Sequence, residues 1–195
     1  MALSQTEIVN LALTRLGQDR VISITDDVEA ARVMRSLWDF TRDTVLAGYP
    51  WKFAIKRTSL PALADAPAYG WARQFTVPEE CLRLVQVGDD YVFYTGMRET
   101  FQLEGGVIMT DEAAPLQLRY VQRVTNVGLW PVLFGRVVAM QLAIDACEKL
   151  TSSSAKQGVL NEAYALAVAQ ARKQSAIERP PQRADNSDWL NARGD

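Results

Sequence analysis

The segment from Glu29 to Ala54 constrains this chain most. At 100° per residue, Ala30, Val33, Met34, Leu37, Phe40 and Val45 fall on one side of a helix. Glu29, Arg32, Arg35, Asp39, Arg42 and Asp43 fall on the other. Gly48 and Pro50 end the run, because Pro50 pushes Tyr49 out of helical geometry. Two aromatics, Trp51 and Phe53, come just past the stop. The pattern predicts a long amphipathic helix that turns a sharp corner and anchors it with Trp51 and Phe53. Arg42, Asp43, Pro50, Trp51 and Phe53 are therefore read as a structural corner, a packing device and not a catalytic one.

The segments around it alternate in kind. Ser4 and Glu7 form a Ser-x-x-Glu capping box, Ile8, Leu11, Ala12 and Leu16 make a buried stripe, and Gly17 stops the first helix. Val21 to Ile24 reads as an extended link. Thr25-Asp26-Asp27 reads as the N-cap and acidic first turn of the second helix. After Trp51 the period becomes alternating. Strands are expected at Phe53–Thr58, Trp71–Val77, Leu82–Val87, Tyr91–Tyr94, Phe101–Leu103, Val107–Met109 and Leu116–Val124. Gly88-Asp89-Asp90 and Glu104-Gly105-Gly106 supply turn chemistry between them.

Helix then returns. Pro131 suits a first turn, and Val132 to Leu150 is apolar around most of its circumference, which predicts burial by more than one neighbour. Thr151 to Ser154 is a turn and cap. Ala155 to Glu178 is an alanine-rich helix, broken by Pro180-Pro181. The expected fold is α+β, mainly α: a discontinuous helical bundle from residues 1–52 and 129–179, a small antiparallel β insertion at 53–128, and a C-terminal docking tail at 180–195.

Composition excludes whole classes of chemistry. The 195 residues contain no histidine. That removes Ser-His-Asp and Cys-His nucleophiles, the His-Glu-x-x-His zinc motif and most zinc and non-haem iron sites. No cofactor and no metal are expected. A net charge of −2 argues against a generic nucleic-acid binder without excluding proximity to DNA. No apolar run is long enough to span a bilayer, and the first residues lack the charged and apolar regions of a signal peptide. Cys81 and Cys147 share no metal or redox spacing and read as buried free thiols of a reducing compartment.

Other motifs have plainer readings. Asp26-Asp27, Glu79-Glu80 and Asp89-Asp90 are the candidate carboxylate pairs for glycoside cleavage, yet each falls in a turn or cap, where such residues are common. Gly105-Gly106 is a hairpin turn and not a phosphate loop, because no Lys-Ser/Thr follows. Trp71, Phe75, Tyr91, Phe93 and Tyr94 can be read as a base-stacking platform or, more simply, as cross-strand pairs. The Arg193-Gly194-Asp195 tripeptide matches an adhesion motif by chance. Trp189 and Leu190 lie in a polar tail beyond Pro180-Pro181, with little local core. They either fold back on their own domain or dock on another subunit.

Five segments in order carry a resemblance. They are Glu7 to Gly17, Glu-Ile-Val-Asn-Leu-Ala-Leu-x-x-Leu-Gly; Arg42-Asp43-x-x-Leu46 running into Pro50-Trp51-x-Phe53-Ala54; and Phe75-x-x-Pro78-x-x-Cys81-Leu82-Arg83. Then come Trp130-Pro131-x-Leu133-Phe134 and a Ser187-x-Trp189-Leu190-x-x-Arg193 tail. Together the chain resembles the head-to-tail adaptors of tailed phages, the group of podovirus tail tubular protein A and tail accessory factor.

The resemblance implies a structural protein of the virion and not an enzyme. It would be made in the host cytoplasm and placed at the tail and portal vertex. Its partners would be the portal protein, a downstream nozzle or tube protein, and further copies of itself in a twelve-fold ring. Genomic DNA would pass through the channel without sequence-specific binding, and no membrane would be involved. The helical part would form the ring, the β insertion would meet the next tail component, and Trp189, Leu190 and Arg193 would reach the portal. Two other classes are a virion-associated cell-wall hydrolase working through carboxylates and a small-ligand or nucleic-acid binding module. Assay on purified cell wall marks the first. Tight, salt-dependent DNA affinity of the monomer marks the second.

Overall fold

Ser4 and Glu7 start the first helix as their spacing requires. In the computed structural model, which describes residues 3–92 and 100–177, the Glu7 N–H donates to Ser4 Oγ at 3.2 Å. The Ser4 N–H donates back to the Glu7 carboxylate at 2.8 Å. These bonds from Ser4 hold the Glu7 carboxyl below its ordinary range. Helix α1 (Gln5–Leu16) ends at Gly17 in the left-handed conformation, φ 71°. Its buried face is shifted from the predicted stripe: Val9, Asn10 and Leu13 join it, and Leu11 is only partly buried. Asn10 is buried because both ends of its amide pair with the backbone of Val21, at 2.8 and 2.9 Å.

The link to the second helix departs from expectation. Asp26 caps the loop and not the helix, accepting the N–H groups of Ile22 and Ser23. Asp27 pairs with Arg32. The N-cap of α2 (Glu29–Ala47) is Val28, which has no capping side chain.

Helix α2 is also rotated from its predicted orientation. The buried residues are Ala31, Met34, Trp38, Thr41, Arg42, Val45 and Leu46, whereas Phe40 is 74% exposed. Ala30, Val33 and Leu37 are only partly buried at the edge of the core. The apolar arc in the sequence is broad, and the half that turns inward carries Trp38, which stacks on Trp130. The stop is different too: Gly48 keeps right-handed helical geometry, with φ −65°. Pro50 ends the helix in a tight turn, closed by the Trp51 N–H donating to the Tyr49 carbonyl at 2.8 Å.

A 3-10 turn at Lys52–Ala54 leads into the strands. They are β1 (Ile55–Leu60), β2 (Arg73–Thr76), β3 (Cys81–Val87), β4 (Asp90–Tyr91), β5 (Phe101–Glu104), β6 (Val107–Thr110) and β7 (Leu116–Gln122). They form two antiparallel sheets, ordered β1-β7-β3-β4 and β2-β6-β5. Phe75 and Ile108 of the second sheet and Leu84, Val87, Leu116, Leu118 and Tyr120 of the first enclose a small core. Gly105 and Gly106, with φ 55° and 81°, make the two-residue turn between β5 and β6. Positive φ at both positions is what such a turn demands.

Helix α3 (Val132–Thr151) is the hub of the larger core. It packs against α1, α2 and α4 (Ser154–Ile177) and is buried around most of its circumference, as its apolar pattern predicts, with Arg136, Asp145, Glu148 and Lys149 exposed. The helix ends cap one another. Lys156 Nζ donates to the Leu16 carbonyl at 2.6 Å, and Gln18 Nε2 donates to the Leu150 carbonyl at 3.1 Å. Each satisfies a C-terminal carbonyl that has no partner within its own helix. Val85 of β3 and Val121 of β7 belong to this core as well, so the sheet is packed directly onto the helices. The fold is α+β, mainly α, with the strands inserted between the second and third helices.

Candidate functional site

The corner residues meet in one aromatic chain. Trp38 stacks on Trp130 with ring centres 6.0 Å apart and planes 8° from parallel. Trp130 meets Phe134 edge-on at 5.1 Å, and Phe134 takes the edges of Trp51 at 5.1 Å and Phe53 at 4.7 Å. Tyr49 closes the chain on Trp51 at 5.0 Å, with the Arg172 guanidinium 5.0 Å above the Tyr49 ring. The indoles of Trp51 and Trp130 have hydrogen-bond partners: Trp51 Nε1 donates to the Val45 carbonyl at 2.9 Å and Trp130 Nε1 to the Val124 carbonyl at 3.1 Å. Helix α2, the corner, the start of α3 and the end of α4 are fixed together at this point.

Arg42 and Asp43 form the polar side of the same joint. Arg42 was read as solvent-facing, but its residue exposure is only 7%. Burial is tolerated because two carboxylates surround the guanidinium, Asp39 at 2.7 Å and Asp43 at 2.8 Å. The second oxygen of Asp43 accepts from Arg123 Nε at 2.8 Å, just beyond β7. Arg83 of β3 reaches the same corner and donates to the Ala47 carbonyl at 3.1 Å. The Arg42-Asp43 pair thus ties α2 to the strands.

Among the carboxylates considered for catalysis, Glu80, Asp26 and Asp27 are engaged in structural bonds. Glu80 accepts from Lys56 Nζ of β1 and from the Tyr120 hydroxyl of β7, the latter at 2.9 Å. The Lys56 bond first, then the Tyr120 bond, hold Glu80 below the ordinary carboxylate range. A carboxyl so held stays ionised and is poorly suited to act as a general acid. Its neighbour Glu79 is exposed. Asp26 is engaged in its loop. Among the described residues no group of three or more His, Cys, Asp or Glu could hold a metal ion. No helix in that range is long and apolar enough to cross a membrane.

Of the residues read as an aromatic platform, the side chains of Trp71 and Phe75 are described. Phe75 is fully buried between the sheets, while Trp71 hydrogen-bonds Gln102 at the surface. Phe93 and Tyr94 lie outside the described residues, as do Trp189, Leu190 and Arg193 of the tail.

One polar feature was missed from the sequence. Arg57 of β1 lies directly opposite Arg119 of β7 in the antiparallel register, with Ser59 opposite Gln117 next to them. A groove of about 300 Å³ opens over this face, lined by Arg57, Thr58, Ser59, Gln86, Gln117 and Arg119, together with Gly88 and Leu118. A bulge in β3 sets Gln86, and not Val85, beside Arg119, and Arg119 donates to Gln86 Oε1 at 3.0 Å. Spacing within each strand cannot reveal a pair that only register creates. Compared with known proteins, the chain matches no family model and no curated sequence.

Proposed function

We propose that this chain is a structural head-to-tail adaptor of a tailed phage, a ring-forming connector between portal and tail that leaves a channel for DNA. One spatial observation carries the reading. The segments behind the resemblance are scattered along the sequence, yet residues from three of them meet at one joint. Trp51 and Phe53, Trp130 and Phe134 form the aromatic chain, Arg42 and Asp43 flank it, and Arg83 docks on the end of α2. The Glu7 to Gly17 segment is α1, packed on the same α3. Motif pieces that meet in one place have one physical task, which is to set the angle between the helices and the sheets. A rigid angle of this kind suits a subunit that must repeat around a ring.

In this reading the tail beyond Ile177 supplies the portal contact through Trp189 and Leu190. Each contact is weak because ordering the tail offsets its apolar burial, and ring closure multiplies it. The test is sedimentation of purified portal mixed with the full chain or with a chain lacking Pro180 to Asp195. The full chain is expected to be monomeric alone and to co-sediment as a ring with the portal. The truncated chain is expected to melt like the full chain and to remain unbound. Failure of the full chain to bind portal overturns the adaptor reading, whereas binding of the truncated chain overturns only the role of the tail.

A further inference from the structure

We propose that the outer face of the second sheet is a sugar-binding groove, in which Tyr69 and Trp71 take the flat face of a neutral hexopyranose while Gln74, Gln102 and Glu104 bond its hydroxyls. The register builds this face. Gln74 of β2 and Gln102 of β5 both pair with Met109 of β6, so the three lie in one row across the sheet. Side chains alternate between faces along a strand. The neighbours Phe75 and Ile108 are turned into the small core, so the row faces outward. Glu104 joins the same face two residues beyond Gln102. The loop before β2 brings Tyr69 and Trp71 to this row, and the groove they line together holds about 350 Å³.

The polar groups are held in place. Trp71 Nε1 donates to Gln102 Oε1 at 3.2 Å, and the Gln102 amide donates to the Glu104 carboxylate. Gln74 Nε2 donates to the Asp65 carbonyl at 2.9 Å. An indole, two amides and a carboxylate are thus positioned in advance, which lowers the cost of ordering them around a ligand. Tyr69 adds a second ring, 88% exposed at the groove. An aromatic face carries negative charge density, and the C–H bonds on a pyranose face meet it with their positive ends. The hydroxyls at the sugar's edge are donors and acceptors at once. Amides answer both functions, and a carboxylate has about four acceptor sites, one of which Gln102 uses. Aromatic rings also stack nucleic-acid bases, but the Glu104 carboxylate repels the phosphates that accompany them. The volume suits one sugar ring and part of the next.

The experiment is calorimetric titration of the full chain with glucose, cellohexaose, mannohexaose and a short single-stranded oligonucleotide. The fluorine resonance of fluorotryptophan-labelled Trp71 is followed in parallel. Sugar is expected to bind and to shift that resonance, with the oligonucleotide without effect. Tighter binding of a hexaose than of glucose identifies a polysaccharide chain as the source, and equal binding identifies a single sugar. Tyr69→Ala and Glu104→Gln are expected to melt like the parent, because both side chains are exposed. Each should weaken sugar binding by roughly tenfold. The chain lacking Pro180 to Asp195 keeps every residue of the groove, so sugar binding and portal binding fail independently. No binding of any of these sugars, binding of the oligonucleotide in their place, or a Tyr69→Ala chain that binds sugar as tightly as the parent would each overturn the assignment.

Discussion

Trp51 and Phe40 mark the two limits of what a single residue contributes here. Trp51 is 3% exposed, its ring edge lies against Phe134 and its N–H is satisfied by Val45. Trp51→Ala removes all three and leaves a void at the joint of the helices. The expected loss is about 3–5 kcal/mol, read by chemical denaturation, with aggregation as the alternative form of the same failure. A soluble variant with an unchanged midpoint would contradict the corner's structural role. Phe40→Ser is expected to stay within about 0.5 kcal/mol of the parent, because the ring is largely in solvent. From the sequence the two residues look alike, each a large aromatic in an apolar pattern. Trp51 was legible because Pro50 fixes its position. Phe40 was misjudged because α2 has apolar residues over more than half its circumference, and periodicity alone does not choose between neighbouring arcs. Arg42 was misjudged for a related reason: charge predicts exposure only where no carboxylate cage is available.

At the scale of elements, the latch of Lys56, Glu80 and Tyr120 joins β1, the turn before β3 and β7. Its pH dependence follows from the direction of each shift. Folding holds the Glu80 carboxyl below its ordinary 4.5, through Lys56 and then Tyr120. The folded chain therefore binds that proton more weakly than the unfolded chain does. The stabilisation is present above the ordinary carboxylate range and is lost as pH falls through the folded value. Lys56 is raised above 10.5 by its bond to Glu80, and Tyr120 above 10.0 by burial and then by Glu80. Those contributions are present below the ordinary values and are lost as pH rises through the folded ones. Melting curves of the parent and Glu80→Gln should thus differ most near neutrality, with the gap closing both below about pH 4 and above about pH 10. Parallel curves across the whole range would show that the latch contributes nothing. Elements themselves were mostly legible: the capping box, Gly17, the Gly105-Gly106 turn and the apolar circumference of α3 each act as their sequence implies. The start of α2 was not, because Asp26 has the composition of a helix cap but meets nearer N–H groups in its own loop.

For the whole molecule, the decisive fact is that the strands do not stand apart from the helices. Val85 and Val121 lie in the helical core, and Ile55 and Leu82 pack against it. The sequence distinguishes a β insertion from a helical bundle by period. It cannot tell that the first sheet is shared between two cores, since that depends on which face of β3 and β7 each side chain takes after the bulges. The Arg57–Arg119 pair was hidden for the same reason. Shared packing predicts cooperative unfolding: far-ultraviolet dichroism at a helix wavelength and the resolved fluorine resonance of fluorotryptophan-labelled Trp71, which bonds Gln102 of the second sheet, should report one midpoint in denaturant. Asp43 is the most sensitive polar link in that coupling. It bridges Arg42 of α2 and Arg123 after β7, so Asp43→Ala removes two charged hydrogen bonds and leaves Arg42 buried with Asp39 as its remaining carboxylate. The expected cost is roughly 2–5 kcal/mol, larger than for an exposed ion pair. The loss should appear equally in both signals, because neither half keeps its packing without the other. Separate midpoints, with the Trp71 signal falling before the helical one, would show that the strands form an independent unit and that the joint is only a contact between two.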